Sequence, residues 1–357
     1  MNKSKLIISN YKFFIIFIFL SMSYCFSYKG QLWLDTNYID KSDNFWYFGY
    51  ISELSLKGNN NFDFEWSRKL LSENHSLSSA NKNENYRLWI RYTQPTYDFR
   101  IGLQKISFGS ASLLRPLNWF DTIDFASTTG QTSGVKAARL QFYLLNNSLL
   151  SLWCIDDNQI SCGGRLELLN KIGNFGITYF NDENNNQHEV FKVPRIIENQ
   201  PSLPFPGSNH RIGLDYRYDG ILGLWFEGAS IMSSTKNINM NRFDVLTLGG
   251  DYTFDIFNGL LLSSESMYFS IISEESTEGT DENPWILNQT TSSLIASTPI
   301  GMLNDIMLIS IKDWETKDSY SLIRWATNFD YLSINCLLSI NPSPVQDSFK
   351  LMLIYNH

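Results

Sequence analysis

The chain has 357 residues, of which 43% are hydrophobic, 15% aromatic and only 18% charged, and its formal net charge is −8. A soluble enzyme of average composition carries more charged and fewer aromatic side chains. The acidic balance argues against nucleic acid as a partner. The length allows either several soluble domains or one large barrel, so the order of the elements has to decide between them.

The first residues have the pattern of a secretory signal peptide. Lys3, Lys5 and Lys12 precede the apolar run 13–20, and Cys25-Phe26-Ser27 fits a small-x-small cleavage site. The run is shorter than the ~20 residues that a membrane-spanning helix needs. Cleavage after Ser23 fits nearly as well. We predict a signal peptide over 1–27 and a mature chain of 28–357, whose formal net charge is −11 because three lysines and no acidic residue are removed.

After the signal peptide, segments in which apolar and polar residues alternate recur nearly to the end of the chain. Every second residue of such a segment belongs to one set, apolar or polar, and we call these two sets its parities. A period of two is typical of β-strands, and no segment of similar length has the i, i+3, i+4, i+7 pattern of a helix. The predicted strands are 31–39, 44–57, 60–70, 84–94, 97–107, 136–146, 147–156, 162–169, 173–181, 209–218, 221–232, 242–254, 257–270, 286–298, 303–312, 319–329, 331–340 and 347–356.

The links between these segments alternate in length. Every second link is tight, for example Asn146-Asn147 and Asp219-Gly220, whereas the long links 71–83, 108–135, 182–208, 233–241 and 271–285 all fall in the other parity. A soluble sandwich has no reason to separate its links in this way. A transmembrane barrel does, because its turns are short on one side of the membrane and its loops are longer on the other. We therefore predict an all-β, antiparallel transmembrane barrel of about 18 strands, within a range of 16 to 20.

One stretch resembles a known family. Arg100-x-Gly102-x-Gln104 is followed by Phe108-Gly109 and by the run from Leu114 to Asp121, which contains a proline and a tryptophan. This order is similar to that of porin-like bacterial outer-membrane proteins, in which such a strand leads into a loop that bears Pro and Asp. The resemblance covers about fifty residues, Tyr97 to Leu144, and implies a channel in the bacterial outer membrane.

The polar parity of the strands would face the barrel interior, because a charge on the lipid face costs ~2–4 kcal/mol at the membrane midplane. The predicted pore-lining residues are Arg87, Arg91, Arg100, Gln104, Arg139, Gln141, Arg165, Arg211, Arg324, Glu53, Asp63 and Glu65. Two readings remain open for the arginines. Either neighbouring acids and tyrosines neutralise them, or they form a basic wall that orients anionic solutes.

The loop 108–135 is too apolar to lie in water, since large exposed apolar patches are unusual. We expect it to fold inward as a constriction that presents Arg115, Trp119, Asp121 and Asp124 near the arginines. Capping the barrel and contacting a neighbouring protomer are the alternatives.

The cysteines and histidines give weaker signals. Cys154 and Cys162 flank a short turn and suit either a cross-strand disulfide or two unpaired thiols. The three cysteines of the predicted mature chain, these two and Cys336, lack zinc-ligand spacing. No Ser-His-Asp arrangement, metalloprotease motif or phosphate-binding loop is visible, so we predict no catalytic residue, no metal and no cofactor. His210 is the one histidine placed for an esterase site.

These patterns together predict passive diffusion of small polar or anionic solutes through an outer-membrane barrel. The expected partners are outer-membrane lipid, lipopolysaccharide and a small polar solute. The alternative is a non-conducting barrel that acts as an adhesin or scaffold through its long loops. The sequence leaves the oligomeric state open.

Overall fold

A computed structural model describes residues 24–39, 45–58, 61–75, 78–121, 132, 134–186, 188–191, 203–205, 207–234, 241–272 and 286–357. Of the predicted signal peptide, only the last four residues lie within this part of the chain, and the predicted loop residue Asp124 lies outside it. No helix among the described residues is long and apolar enough to cross a membrane.

The alternating segments form strands, and each strand pairs with its neighbours in antiparallel fashion. The strands are β1 (Tyr24–Ile39), β2 (Phe45–Gly58), β3 (Phe62–His75), β4 (Ser78–Thr93), β5 (Tyr97–Gln104), β6 (Val135–Tyr143), β7 (Leu149–Asp157), β8 (Gln159–Asn170), β9 (Gly173–Asp182), β10 (His188–Phe191), β11 (Leu203–Phe205), β12 (Asn209–Asp219), β13 (Gly223–Ser233), β14 (Arg242–Phe254), β15 (Leu260–Ile272), β16 (Ile286–Ile300), β17 (Asn304–Asp313), β18 (Ser319–Asn328), β19 (Leu332–Ile340) and β20 (Ser348–Asn356).

Eighteen of these strands make one sheet that closes on itself, because β1 pairs with both β2 and β20. β10 and β11 form a separate hairpin within the connection between β9 and β12. The fold is therefore a closed antiparallel barrel of 18 strands, as predicted. The described residues contain no α-helix, and their one helical piece is the short 3₁₀ turn Leu145–Asn147.

The two ends of the barrel differ as the link lengths predicted. At the short-turn end the strands are joined by links such as 94–96, 171–172 and 301–303, whereas the long-loop end has links such as 105–134 and 273–285. One predicted loop is wrong. Residues 71–83 are mostly strand, since β3 continues to His75 and β4 begins at Ser78. These polar residues pair across the hairpin, and they lack the apolar parity by which a strand is recognised in sequence.

The outer face of the barrel is apolar. Ile90, Ile101 and Leu152 are each more than 40% exposed on adjacent or nearby strands, and large apolar side chains are exposed in this way on strands all around the sheet. Rings of Phe62, Tyr92, Tyr97 and Phe142 follow one another along its short-turn end at centroid separations of 4.7 to 6.3 Å. An apolar band flanked by aromatic side chains is typical of barrels that span a membrane.

Cys154 and Cys162 are directly opposite each other on β7 and β8 and form a disulfide, so the bonded alternative is the one found. Cys336 is a free cysteine.

Candidate functional site

The chain leaves the barrel wall after Gln104 and enters the interior. Leu113, Leu114 and Leu117 are each at most 1% exposed, and they belong to one apolar cluster with inner-face side chains of the wall, among them Trp153 of β7 and Phe180 of β9. We call residues 105–121 the inward segment. Its ring contacts include Phe108 with Trp153, at a centroid distance of 5.0 Å, and Phe120 with Phe180, also at 5.0 Å.

A single carboxylate on β15 holds the middle of the inward segment. Glu265 accepts hydrogen bonds from the backbone N–H groups of Ser112 at 2.5 Å, Leu113 at 2.9 Å and Leu114 at 2.7 Å. It also accepts one from the indole Nε1 of Trp225 at 3.0 Å. Because the side chain of Glu265 is buried, these bonds replace the water that the carboxylate loses.

A second carboxylate, Glu227 of β13, spans the segment from the other side. One oxygen accepts from Ala111 N at 2.8 Å and the other from Leu117 N at 2.6 Å. Gly109 has a φ of +102° and packs so close to Glu227 that an added Cβ would lie 2.3 Å from its Oε2. Only glycine allows this approach, which gives a physical reason for the Phe-Gly pair of the sequence motif.

The predicted constriction residues are part of the same packed segment. Arg115 donates to Ser107 Oγ and Phe108 O, both at 2.9 Å, and the indole of Trp119 donates to Pro116 O at 3.1 Å. Asp121 lies 3.4 Å from Lys105 Nζ and 4.0 Å from Arg115. Within the described residues, Asp121 therefore pairs with cations of its own segment, and its role in a constriction stays a prediction.

Three of the predicted arginines form a row on the inner wall. Arg91, Arg100 and Arg139 are direct partners across β4, β5 and β6. Arg91 pairs with Asp63 at 2.5 Å, whereas Arg100 lies over the ring of Trp89 at 4.3 Å. No carboxylate of the described residues lies within ion-pair distance of Arg100 or Arg139. We call these three residues the arginine row.

Trp89 lies on the inner face beside the arginine row. Its ring is a cation–π partner of Arg91 at 5.8 Å and of Arg100 at 4.3 Å.

Other predicted pore-lining residues are buried in pairs. Arg165 is 6% exposed and forms an ion pair with Asp215 at 2.6 Å. Arg211 is 2% exposed and pairs with Asp182. Arg87 donates to Thr132 O at 2.8 Å, and Gln104 donates to Ala137 O at 2.8 Å. For Arg165 and Arg211 the structure favours the neutralised reading over an open basic wall.

The remaining predicted positions lie half-buried on inner faces. Glu53 and Glu65 belong to β2 and β3, and Arg324 belongs to β18. Gln141 donates to Ser151 Oγ at 3.2 Å. The role of all these residues in lining a pore stays a prediction.

The far wall is apolar where it meets the inward segment. The apolar inner-face side chains of β13 to β20 that are at most 2% exposed are Ile231, Phe243, Met267, Ile271, Ile309, Leu322, Leu337 and Met352. They belong to the same cluster as Leu114 and Trp119. Barrels of 16 to 18 strands ordinarily leave an aqueous channel, so a dry apolar cluster across part of the interior is a feature of this chain.

The residues weighed for catalysis gain no support. His210 accepts or donates a hydrogen bond with the hydroxyl of Tyr179 at 3.1 Å and stacks on that ring. The residues that the structure describes contain no cluster of His, Cys, Asp and Glu able to hold a metal ion.

Sequence reasoning missed the carboxylates that matter most for the inward segment, Asp215, Glu227 and Glu265. Ser110 Oγ donates to Asp215 at 2.9 Å, which adds a third anchor. For Glu227 and Glu265 the signal was an acidic residue at the inner parity of a strand with no basic neighbour at the same parity, because such a charge needs a partner from elsewhere in the chain. Asp215 lacks this signal, because Arg211 and Arg217 lie at the same parity of its strand.

No protein-family model matches the chain, and no curated protein matches it. Solved structures do. OccK5 (OpdH) of Pseudomonas aeruginosa is similar with a TM-score of 0.59 at 12% identity, over 94% of this chain and 97% of that one. OprD of the same species has a TM-score of 0.55 at 10% identity, over 93% and 94%. OmpT of Vibrio cholerae has a TM-score of 0.53 at 9% identity, over 94% and 99%.

At these identities the likeness defines the fold. The chain has the closed antiparallel barrel of 18 strands that is seen in outer-membrane porin structures.

Proposed function

We propose that this chain is a porin-like channel of the bacterial outer membrane, through which small polar or anionic solutes diffuse. The barrel fold that it shares with outer-membrane porins supports this proposal, as does the apolar outer face flanked by aromatic rings. One of the similar structures is a porin, and others are outer-membrane proteins, and we propose no enzymatic activity. Outer-membrane lipid and lipopolysaccharide are the proposed surroundings.

The observation that carries the proposal is the arginine row. Arg100 and Arg139 face each other on adjacent inner strands, without a carboxylate in reach among the described residues. Both residues are partly exposed, although Nε of Arg139 is buried without a hydrogen-bond partner, so solutes in the lumen would reach the exposed parts of the two side chains. A positive row beside the inner-face acids Glu53 and Glu65, which lie on the neighbouring strands β2 and β3 of the same wall, would orient anions and polar molecules as they pass.

Conductance in a planar bilayer under a KCl gradient tests the proposal. We expect stepwise conductance from the refolded mature chain, with a reversal potential of the sign set by anion preference. Arg100→Ala and Arg139→Ala should each shift that potential toward cation preference without unfolding the barrel. Arg242→Ala is the matched control, because Arg242 is exposed and pairs with Asp244 of its own strand at 2.8 Å.

An unchanged reversal potential in both variants would show that the arginine row does not select solutes. A folded barrel without any conductance would contradict the channel itself.

A second candidate is a barrel that does not conduct and acts through its long loops as an adhesin or scaffold. The observation in its favour is the apolar cluster between the inward segment and the far wall, where side chains such as Leu322 and Ile309 are 0% exposed. In that case the long-loop end, which includes the β10–β11 hairpin, would carry the partner surface. The conductance measurement separates the two candidates.

A further inference from the structure

The barrel wall has a notch where the inward segment leaves it. The last pair between β4 and β5 is Leu88 with Leu103, whereas β4 continues beyond this point to Ser78 in its pairing with β3. On the other side, the last pair between β6 and β7 is Ala137 with Ile155, although β7 continues to Asp157 against β8. At the long-loop end of the barrel, the sheet between β4 and β7 is therefore shorter than the sheet on either side of it.

A groove of about 780 Å³ lies on the outer face at this notch. Small residues form its floor, among them Gly102, Ala137 and Ala138, and apolar side chains form its sides, among them Leu88, Ile101 and Ile160. Its polar lining is Asn85, Lys136 and Asp156, all exposed. A groove of this size accommodates a ligand with a long apolar part.

The groove is close to the interior. A cavity of about 540 Å³, lined by Trp119, Phe120 and Arg211, lies on the inner side of the same wall. Leu103, Lys136, Ile155 and Asp156 line both the groove and this cavity. One layer of residues thus separates the interior from the outer face at the notch.

We propose that the groove binds one phosphate-bearing lipid of the surrounding membrane, with an acyl chain along Leu88, Ile101 and Ala138 and its phosphate at Lys136 and Asn85. Two observations select this occupant. Exposed apolar side chains such as Ile90 and Leu152 surround the groove, so hydrocarbon is the medium that covers it. The ammonium of Lys136 and the side-chain amide of Asn85 are hydrogen-bond donors at its polar part, which suits a phosphate.

The lipid would close the wall where β5 turns inward. The inference rests on the membrane location in the proposed function, but it does not depend on conduction. Asp156 is the one acidic residue in the lining, and its charge opposes the phosphate.

Lipid retention measured by native mass spectrometry tests the inference. The refolded mature chain is mixed in detergent with phosphatidylglycerol or phosphatidylcholine of equal chain length. We expect one retained phosphatidylglycerol. Ala138→Trp, which fills the groove, should lower the retention of both lipids about tenfold, since the acyl chain then loses the apolar surface that it would bury there. Ala296→Trp is the control, because Ala296 has the same size and lies on the outer face of β16.

Charge variants test the phosphate contact. Lys136→Gln should lower the retention of phosphatidylglycerol about fivefold, because one lysine near a membrane surface contributes ~1 kcal/mol toward an anionic lipid. The effect on phosphatidylcholine should be smaller, because the positive charge of its own headgroup offsets the charge of its phosphate. Asp156→Asn should raise the retention of phosphatidylglycerol. Lys312→Gln is the control, because Lys312 is an exposed outer-face lysine on β17 over the ring of Trp314.

Equal effects of Ala138→Trp and Ala296→Trp, or of Lys136→Gln and Lys312→Gln, would mean unspecific lipid contact and would overturn the inference. Ala138→Leu replaces Ala138→Trp if the larger variant does not show the heat-modifiable band of a folded barrel. A barrel that retains the lipid and does not conduct would contradict the proposed channel and leave the lipid site standing.

Discussion

At the scale of single residues, carboxylates organise the interior more than arginines do. Glu265 satisfies three successive backbone N–H groups of the inward segment, and Glu227 satisfies two more. Such groups have no partner on a neighbouring strand once the chain leaves the sheet. Leaving them unpaired would cost about 1–3 kcal/mol each. The two glutamates therefore explain why an irregular segment is stable inside the barrel.

Glu265→Gln should loosen the inward segment. The amide keeps one oxygen acceptor but loses the charge and the second acceptor, so we expect a loss of ~2 kcal/mol in the free energy of unfolding. Urea unfolding of the refolded barrel in detergent measures the stability, and cleavage by chymotrypsin within 105–121 measures exposure of the segment.

The matched control is Glu73→Gln, because Glu73 pairs with Lys82, whose side chain is 62% exposed, and exposed pairs contribute little. Equal cleavage of the two variants would show that Glu265 does not hold the segment.

At the scale of elements, a glycine lies next to the point where the barrel wall opens. Gly102 of β5 has a φ of +124°, and an added Cβ would lie 2.1 Å from the backbone oxygen of Leu88 on β4. The strand ends two residues later, at Gln104, where the chain turns into the interior. The close approach of β4 and β5 thus explains why the Arg-x-Gly-x-Gln motif has a glycine at this position.

Gly102→Ala should disturb the pairing of β4 with β5. A side chain in this backbone conformation is strained, and the clash with Leu88 adds to that strain, so the cost should exceed about 2 kcal/mol. The measurement is the fraction of protein in the heat-modifiable band after refolding.

Gly228→Ala serves as the control, since the nearest atom to an added Cβ there is 3.4 Å away. A full yield of folded Gly102→Ala would mean that β5 tolerates a Cβ at this point.

At the scale of the whole molecule, the interior has two unlike halves. The wall from β2 to β6 carries half-exposed charges, including the arginine row, whereas the wall from β13 to β20 meets the inward segment in a dry apolar cluster. Apolar constrictions limit conduction because they exclude water. The apolar cluster is therefore the expected barrier in this barrel.

The double variant L322S/L337S should lower that barrier. Both leucines are at most 1% exposed on the inner faces of β18 and β19. Hydroxyl groups there would admit water, and we expect the single-channel conductance to rise about twofold. Asn335→Ser on the same face of β19 is the control and should leave conductance near that of the unchanged chain. No rise in a folded double variant would place the solute path elsewhere.

The sequence by itself predicted a barrel of about 18 strands within a range of 16 to 20, the faces of those strands and the two ends of the barrel. These properties follow from a period of two and from turn residues, which are local signals. It also placed Arg91, Arg100 and Arg139 on the inner parity. The prediction of a loop at 71–83 was wrong because these paired strand residues are mostly polar and lack the apolar parity by which a strand is recognised.

Only the tertiary structure decided which charges stay unpaired. The contacts from Ser110 to Asp215, from Ala111 to Glu227 and from Ser112 to Glu265 join residues 105, 116 and 153 positions apart. Arg165 and Arg211 look like Arg100 in sequence, yet each is buried in an ion pair. Which carboxylate meets which donor depends on how the closed sheet brings distant strands and the inward segment together, and no local pattern carries that information.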